Sequence, residues 1–270
     1  MPKLPSPMIT SSNNPKLKTV RLLAGRAKDR REQQAFLAEG VRLVEEALAS
    51  EWPFRFTLYS DELGERGRKL LARIQQRGIE TDEVSTRLLG SLSETETSQG
   101  ILAVLADEGP RRVQALNFVL ITDAVRDPGN LGTLLRTAEA AGVDAVFLTP
   151  GSTDAFAPKV VRAGMGAHFR LPLYEVSWDE IKTQVAAYHW NVYLADMHGQ
   201  SCWEVDFHPP LALIIGGEAE GATAAARGLA TQTVSIPMQG RAESLNAAVA
   251  GAVLMFEVKR QRDSNTKGTK

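Results

Sequence analysis

The sequence predicts an α/β protein with a C-terminal domain built on a parallel sheet and a smaller N-terminal α/β domain. In the second half, apolar stretches without polar alternation are separated by helical patterns, which is typical of parallel strands covered on both faces. The first half is less regular, and the segment "DEGPRRVQ" between the halves has the charge, glycine and proline of a linker. We therefore predict an N-terminal domain, a linker, a second domain and a basic tail expected to be flexible, over residues 1–107, 108–115, 116–262 and 263–270.

The elements of the first half follow from its hydrophobic periodicity and its turn residues. The predicted helices are a basic one over 13–36, an amphipathic one over 40–50, a longer one over 61–78 and a short one over 85–94. The predicted strands are "FRFTLYS" over 54–60 and the densely apolar "SQGILAVLA" over 98–106. A small α/β unit is the expected result.

The second half alternates strand and helix more strictly. The predicted strands are Phe118–Asp123, Ala145–Leu148, Val192–Asp196, Leu211–Gly216 and Val234–Pro237. The predicted helices are Leu131–Ala141, Asp179–Tyr188, Ala222–Leu229 and a last one from Ser244. Ligands of open parallel sheets bind outside the carboxyl ends of the strands, so we expect a functional site in the loops that follow them.

The composition argues against several classes of protein. Of the 270 residues 43% are hydrophobic and 23% charged, which is the profile of a soluble globular protein. The single cysteine, Cys202, cannot form an internal disulfide, so a reducing compartment, the cytoplasm, is the simplest interpretation. The sequence shows no signal-peptide pattern and no apolar run long enough to span a bilayer. Its four histidines lack metal-ligand spacing, so we predict no metal site.

The net charge of -1 conceals an uneven distribution of basic residues. Those of the first 31 positions are Lys3, Lys16, Lys18, Arg21, Arg26, Lys28, Arg30 and Arg31. The C-terminal stretch adds Lys259, Arg260, Arg262, Lys267 and Lys270. Basic ends on a neutral body suit contacts with the phosphates of a nucleic acid, and a pair of solvated termini is an equally good explanation on charge alone.

The first candidate loop follows the strand Phe118–Asp123. Asp127-Pro128-Gly129 is a strong turn signal, Asn130 is placed to cap the next helix, and Arg136 lies inside that helix. The segment "GNLGT" lacks the Gly-Lys-Ser/Thr ending of a phosphate-binding Walker loop. Alone, this loop could equally be a capped helix with a solvent-facing arginine.

The second candidate loop follows the strand Leu211–Gly216. The glycine pair Gly216-Gly217 at a strand end permits close approach of the backbone to a ligand. Glu218 follows, and it is either a site residue or merely a cap of the next helix.

The third candidate loop leads from Ile236-Pro237-Met238 into a helix of small residues. Ser244 is a plausible N-cap, with Leu245 and Asn246 in the first turn. The alternative is a well-capped, alanine-rich core helix.

Together the three loops resemble the SpoU/TrmH family of RNA 2′-O-ribose methyltransferases, within the SPOUT superfamily. The matching motifs are "NLGTLLR" over 130–136, "GEAEG" over 217–221, and "IPM" over 236–238 followed by "SLNAAVA" over 244–250. The N-terminal half also resembles the substrate-binding domain of two-domain members of that family, so the resemblance covers about residues 9–258.

The resemblance implies a deep trefoil knot in the second domain, a homodimer formed through that domain, and S-adenosylmethionine as cofactor. It implies that the substrate is structured RNA, with rRNA favoured by the N-terminal domain and tRNA open as the alternative. By position, the implied catalytic residues are Asn130, Arg136, Glu218, Ser244 and Asn246. The implied cofactor-binding residues are Gly217, Ile236 and Leu245.

One position departs from the family pattern, since Gly164 stands where many members carry serine. Two rival functions remain. A non-catalytic RNA-binding protein on the same fold is disfavoured because the motif residues are intact. A Rossmann dehydrogenase is disfavoured because no Gly-x-Gly-x-x-Gly follows the first strand of the second domain.

Overall fold

The structure is a computed structural model that describes residues 8–93, 98–110, 113, 115–217, 221–240 and 244–266. The chain divides into two compact units. Unit 1 comprises Met1–Glu108 and Phe156–Phe169, and unit 2 comprises Gly109–Ala155 and Arg170–Lys270. The segment Phe156–Phe169, which the sequence assigned to the second domain, thus packs with the first unit.

Unit 1 is a mixed four-stranded sheet with helices. Its elements in chain order are α1 (Pro15–Ala24), α2 (Ala27–Gln33), β1 (Ala35–Glu39), α3 (Val41–Ala49), β2 (Phe54–Tyr59), α4 (Glu65–Gln76), β3 (Thr81–Glu83), α5 (Thr86–Gly90) and β4 (Ile101–Ala106). The strand order is β1-β4-β2-β3. Successive residues of β4 belong to two hydrophobic clusters, with Ile101 and Leu105 in one and Leu102 and Val104 in the other. The sheet is therefore covered on both faces.

The prediction of one basic helix over 13–36 was wrong. Gly25 ends α1, and Gln34, with φ of 46°, ends α2 in the left-handed region. Ala35 and Phe36 then belong to β1, which pairs antiparallel with β4. Burial of this apolar run in the sheet overrides the helical pattern before it. The short, polar β3 was also missed.

The segment Phe156–Phe169 contributes helix α7 (Pro158–Gly164) and a 3₁₀ turn to unit 1. Phe156 packs against Phe36 with ring centroids 4.8 Å apart, and Phe169 lies 5.5 Å from the ring of Trp52. These aromatic contacts explain why a segment of the second half clusters with the first. Gly164, at the position where serine was expected, is buried at the end of α7.

Unit 2 is a six-stranded sheet in which every neighbouring pair of strands is parallel. Its elements are β5 (Phe118–Asp123), α6 (Pro128–Ala141), β6 (Ala145–Leu148), β7 (Leu173–Glu175), α8 (Trp178–Tyr188), β8 (Asn191–Ser201), β9 (Leu211–Gly216), α9 (Ala224–Leu229), β10 (Gln232–Ser235) and α10 (Ala247–Thr266). The strand order is β10-β8-β9-β5-β6-β7. The predicted parallel α/β fold is confirmed.

The bounds of β5, β6 and β9 agree with the prediction residue for residue, because buried apolar runs define them. The three-residue edge strand β7 was missed. β8 is longer than predicted and irregular, since Thr233 pairs with Leu194 while Val234 pairs with Gln200. The intervening residues 195–199 leave the ladder between β8 and β10.

Lys259, Arg260 and Arg262, the C-terminal basic residues that the structure describes, are engaged within unit 2. α10 continues to Thr266, so residues 263–266, which the sequence analysis placed in the tail, belong to this helix. Arg260 forms an ion pair with Glu257 at 2.8 Å, and Lys259 with Asp263 at 3.1 Å. Arg262 donates to three main-chain oxygens, those of Phe207, Asn117 and Pro209. Burial lowers the pKa of Arg262.

No helix in the described part of the chain is long and apolar enough to cross a membrane. Within the same residues, no group of three or more His, Cys, Asp or Glu side chains is arranged to hold a metal ion. Cys202 is fully buried, and burial raises the pKa of its thiol, as in an inert core cysteine.

Candidate active site

The candidate site lies at the carboxyl edge of the unit 2 sheet. β5 ends at Asp123, β9 at Gly216 and β10 at Ser235. Because all three strands run parallel, the loops that follow them leave from the same edge. The three candidate loops of the sequence are these loops.

A hydrogen bond between two side chains joins the first loop to the third. Asn246 Nδ2 donates to Asn130 Oδ1 at 3.0 Å, across 116 positions of sequence. Asn246 also caps α10, because its Oδ1 accepts from the backbone N–H groups of Ala248 at 2.9 Å and Val249 at 3.2 Å. One amide therefore closes the start of a helix with its oxygen and orients Asn130 with its nitrogen.

Two predictions about helix caps were wrong. Asp127, and not Asn130, caps α6, since Asp127 Oδ1 accepts from Asn130 N at 2.8 Å and Pro128 begins the helix. Asn246, and not Ser244, caps α10. Proline at the first helical position explains the earlier start of α6. Asn130 is consequently not the cap of α6, and its side-chain oxygen accepts from Asn246.

The other predicted catalytic residues are placed as follows. Arg136 is exposed on α6. It lies six residues after Asn130, which at about 100° per residue puts the two on different faces of the helix. Within the described residues, the structure joins Asn130 to Asn246 but does not join Arg136 to either. Ser244 is exposed and precedes α10, and Glu218 lies outside the described residues.

Gly217 shows a close approach that only glycine allows. A Cβ at this position would lie 2.5 Å from the carbonyl oxygen of Ala124, which follows β5. Gly217 also forms an isolated antiparallel bridge with Gly221, so the chain folds back on itself here. The backbone of Gly217 therefore lies directly against the first candidate loop, and any side chain would push the two apart.

The predicted cofactor-binding residues fit an adenosine-containing ligand in their chemistry. Ile236 is half-buried directly after β10, and Leu245 is 38% exposed directly before Asn246. Met238, in the loop between them, is also 38% exposed. Apolar side chains at the mouth of a parallel sheet, beside a glycine with bare backbone, suit a flat aromatic ring with polar edges.

The small residues of α10 have a packing role within unit 2. A Cβ on Gly251 would fall far inside van der Waals contact with the side chain of Leu134 on α6. The axes of α6 and α10 therefore come close together behind the Asn130–Asn246 contact. The close approach of these two helices explains the glycine at position 251.

Sequence reasoning missed a second polar contact at the same edge. Asp123 is fully buried at the end of β5. Its Oδ2 accepts from Thr223 N at 2.6 Å and its Oδ1 from Thr223 Oγ1 at 3.0 Å. The available signal was an acidic residue that closes an otherwise apolar strand, since such a residue is rarely buried without partners.

Comparison with known proteins shows the family of the chain. Residues 117–256 match the family "SpoU rRNA Methylase family", and residues 14–103 match the "MRM3-like substrate binding domain". The chain is 36% identical over 252 residues to the 23S rRNA (guanosine(2553)-2′-O)-methyltransferase RlmP of Bacillus subtilis, an alignment covering 93% of this chain and 98% of that protein. It is 32% identical over 281 residues to the 23S rRNA (uridine(2479)-2′-O)-methyltransferase of Streptomyces viridochromogenes, covering 99% and 97%.

Solved structures give the same result. The SpoU methyltransferase AviRb of S. viridochromogenes in complex with AdoMet superposes with a TM-score of 0.83 at 32% identity, covering 93% of this chain and 99% of that one. An AdoMet-bound rRNA methyltransferase of Sinorhizobium meliloti gives a TM-score of 0.82 at 30% identity, covering 94% and 97%.

The parallel α/β fold and the similarity to known methyltransferases define the class of this protein. It is an α/β RNA methyltransferase with a separate substrate-binding unit. More particularly, the chain belongs to the SpoU rRNA methylase family.

Proposed function

We propose that this protein transfers the methyl group of S-adenosylmethionine to a ribose 2′-hydroxyl of rRNA. The observation that carries the proposal is the Asn246–Asn130 hydrogen bond. It ties together two loops that carry family motifs, at the edge of the sheet where ligands of parallel α/β domains bind.

For the cofactor, we propose that backbone groups of Gly217 and the apolar side chains of Ile236 and Leu245 hold the adenosine part. The bare backbone at Gly217 and the apolar surface of the other two support this assignment. When bound, S-adenosylmethionine supplies a methyl group on a cationic sulfonium that a hydroxyl oxygen displaces directly. The task of the protein is then to hold that oxygen close and aligned.

For catalysis, we propose that Arg136 stabilises negative charge on the 2′-oxygen and orients the neighbouring phosphate. Its exposure on α6 leaves it accessible to RNA. A guanidinium normally keeps its proton at neutral pH, which favours charge stabilisation over proton abstraction. Asn130 and Asn246 would orient the ribose, with Ser244 beside them. Glu218 would pair with the guanidinium, as carboxylates do in bidentate contacts.

For the RNA, we propose that exposed basic side chains of unit 1 contact rRNA phosphates. Lys18 and Arg26 are exposed on and beside the first two helices. The relatives RlmP and the S. viridochromogenes enzyme act on 23S rRNA by name, and the match of 14–103 is to a substrate-binding domain. tRNA remains the competing substrate, and shape and exposed bases would select the target.

We further propose a cytoplasmic homodimer formed through unit 2, with the trefoil knot of the family. Val249 and Phe256 are 49% and 46% exposed, and their spacing of seven residues puts them on one face of α10. Large apolar side chains in such a row are typical of a helix that meets a partner.

The test is ribose-methylation mapping of total RNA from cells with and without the gene. We expect one 2′-O-methyl position in rRNA to disappear on deletion and to return with the wild-type gene. Arg136→Ala should fail to restore it while the purified variant still binds S-adenosylmethionine. Lys182→Ala, an exposed change on α8, should restore it fully and serves as the control. An unchanged methylation map would contradict the proposal, and a change confined to tRNA would replace its substrate.

A further inference from the structure

The catalytic proposal leaves unused the contact between Asp123 and Thr223, a polar feature of the sheet edge. The Asp123 carboxylate has no exposed surface. The hydrogen bonds that the described residues give it both come from Thr223, one from the backbone N–H and one from the hydroxyl. A carboxylate is costly to bury, so a site that keeps one buried needs it for a specific geometry.

That geometry concerns the turn between β9 and α9. Gly216, the last residue of β9, pairs in register with Asp123 of β5. Gly217 then passes against Ala124, which has a φ of 53° in the left-handed region. The turn is held at its start by this close approach and at its end by the bond from Thr223 to Asp123. The first of these anchors, Gly217, is a proposed cofactor residue.

The hydroxyl of Thr223 has a second contact. It accepts from Ala226 N at 3.2 Å, and so caps α9 while it donates to Asp123. An N-cap alone needs only the acceptor. The donated bond to a buried carboxylate goes beyond capping and fixes the cap relative to β5, the strand that leads into the Asn130 loop.

We propose that Asp123 and Thr223 are positioning residues for methyl transfer. Their paired hydrogen bonds fix the start of α9 against the end of β5, and so keep the backbone of Gly217 in place at the carboxyl edge of the sheet. This inference rests on the proposed function. It predicts that the contact governs cofactor affinity and turnover, and that it contributes little to RNA affinity.

The test compares Thr223→Val with Thr223→Ser in the full-length protein. Valine keeps the size of threonine but loses the hydroxyl, whereas serine keeps it. We expect Thr223→Val to weaken S-adenosylmethionine binding about 10-fold by calorimetry, which is about 1.4 kcal/mol. Its kcat should fall as well, while its KM for RNA stays within about twofold of wild type, as its RNA contacts lie elsewhere. Thr223→Ser should keep both constants close to wild type.

The control separates positioning from general stability. Ser177 caps α8 through a capping box, so Ser177→Ala also removes a helix cap from unit 2. We expect Ser177→Ala to lower the Tm by about as much as Thr223→Val does. Unlike Thr223→Val, it should leave the affinity for S-adenosylmethionine unchanged. Equal loss of cofactor affinity in Ser177→Ala and Thr223→Val would reduce the contact to a stabilising role and overturn the proposal.

Two further outcomes also decide the matter. Loss of affinity in Thr223→Ser as large as in Thr223→Val would show that the hydroxyl is not responsible. Should Thr223→Val fail to fold, Asp123→Asn offers one acceptor in place of two, and wild-type affinity and kcat in that variant would equally overturn the proposal. Failure of the proposed function is separate, because the wild-type protein would then bind no S-adenosylmethionine or transfer no methyl group.

Discussion

The basic helices of unit 1 and the carboxyl edge of the unit 2 sheet use polar residues in opposite ways. In unit 1, much of the positive charge that the sequence suggests for RNA is engaged in the fold. Lys16 contacts Asp82 and Glu80, and the buried Arg30 donates to the carbonyls of Leu23 and Gly25. At the edge of unit 2, two polar residues that cap helices also bond to a distant part of the chain. Asn246 caps α10 and donates to Asn130, and Thr223 caps α9 and donates to Asp123.

The difference shows that the type of a residue and its place in the sequence do not decide between a structural and a functional role. An arginine in a basic segment is compatible with a phosphate contact and with a carbonyl contact, and only burial separates them. An asparagine before a helix is compatible with a cap and with a site residue, and Asn246 both caps α10 and contacts Asn130 because its amide has separate acceptor and donor atoms. The predictions below separate these paired roles, beginning with the largest expected effect.

The largest effect should come from separating the two roles of Asn246. Asn246→Asp keeps the capping oxygen and adds a charge that the helix N-terminus favours, but it removes the donor to Asn130. We expect methyl transfer to fall about 100-fold, equivalent to about 2.7 kcal/mol, with the free energy of unfolding changed by less than about 0.5 kcal/mol. Single-turnover kinetics and chemical denaturation measure the two quantities.

Asn246→Ala is the matched variant, because it removes the cap as well. It should lose activity to a similar degree and also about 1 kcal/mol of stability. Wild-type activity in Asn246→Asp would mean that the contact with Asn130 is structural only.

The sequence predicted the unit 2 sheet better than unit 1 for a physical reason. Strands such as Leu211–Gly216 are apolar throughout because both faces of the sheet are covered. The first and last residues of the apolar run therefore predict the bounds of the strand. β1 and β3 are short and depend on their neighbours β4 and β2, and no local pattern in "QQAFLAEG" separates a strand from the end of a helix.

At the site, the motif residues of the loops were found from the sequence, but their contacts were not. The contact between Asn130 and Asn246 spans 116 positions, and that between Asp123 and Thr223 spans 100. Such pairs follow from the order of strands in the sheet, which the sequence does not state. The roles in catalysis and cofactor binding remain predictions for all the site residues: Asn130, Arg136, Gly217, Glu218, Ile236, Ser244, Leu245 and Asn246.

In unit 1, the next prediction compares the buried basic residue Arg30 with exposed basic residues of the first two helices. Arg30→Met should lower the free energy of unfolding by about 2–3 kcal/mol, because it removes the hydrogen bonds from a charged guanidinium to the main-chain carbonyls of Leu23 and Gly25. The RNA affinity of the folded fraction should not change. Denaturation and filter binding at several salt concentrations provide the measurements.

The control variant should lose RNA affinity and keep its stability, the reverse of what we expect for Arg30→Met. The double variant Lys18→Glu and Arg26→Glu changes exposed side chains only. It should keep its stability within about 0.5 kcal/mol, lose about 10-fold in RNA affinity and show a shallower salt dependence. Unchanged RNA binding in this variant would remove the first two helices from the proposed RNA surface.

A smaller effect on stability should distinguish a tightly packed glycine of unit 2, Gly251, from an unpacked one, Gly228. Gly251→Ala places a methyl group against Leu134, so we expect a loss of about 1–3 kcal/mol. Gly228→Ala on α9 meets nothing within 4 Å and should gain about 0.5–1 kcal/mol from helix propensity. Thermal denaturation of the two variants checks the pair. Stabilisation by Gly251→Ala would show that the close approach of α6 and α10 is not needed.

The smallest effect concerns the basic C-terminal helix, whose charge serves the fold as Arg30 does. The hydrogen bond from Arg260, helped by one from Gln261, lowers the pKa of the buried Glu257 carboxyl. A carboxyl whose pKa is lower in the folded state stabilises that state above its unfolded pKa, about 4.3, and loses this contribution as pH falls through the folded value. Glu257→Gln should therefore lower the Tm by about 2–4 °C at pH 7 and by progressively less as pH drops below about 4.3. Melting curves of the two proteins from pH 7 to pH 3 measure the difference, and a gap that stays constant across this range would show that the ion pair contributes nothing.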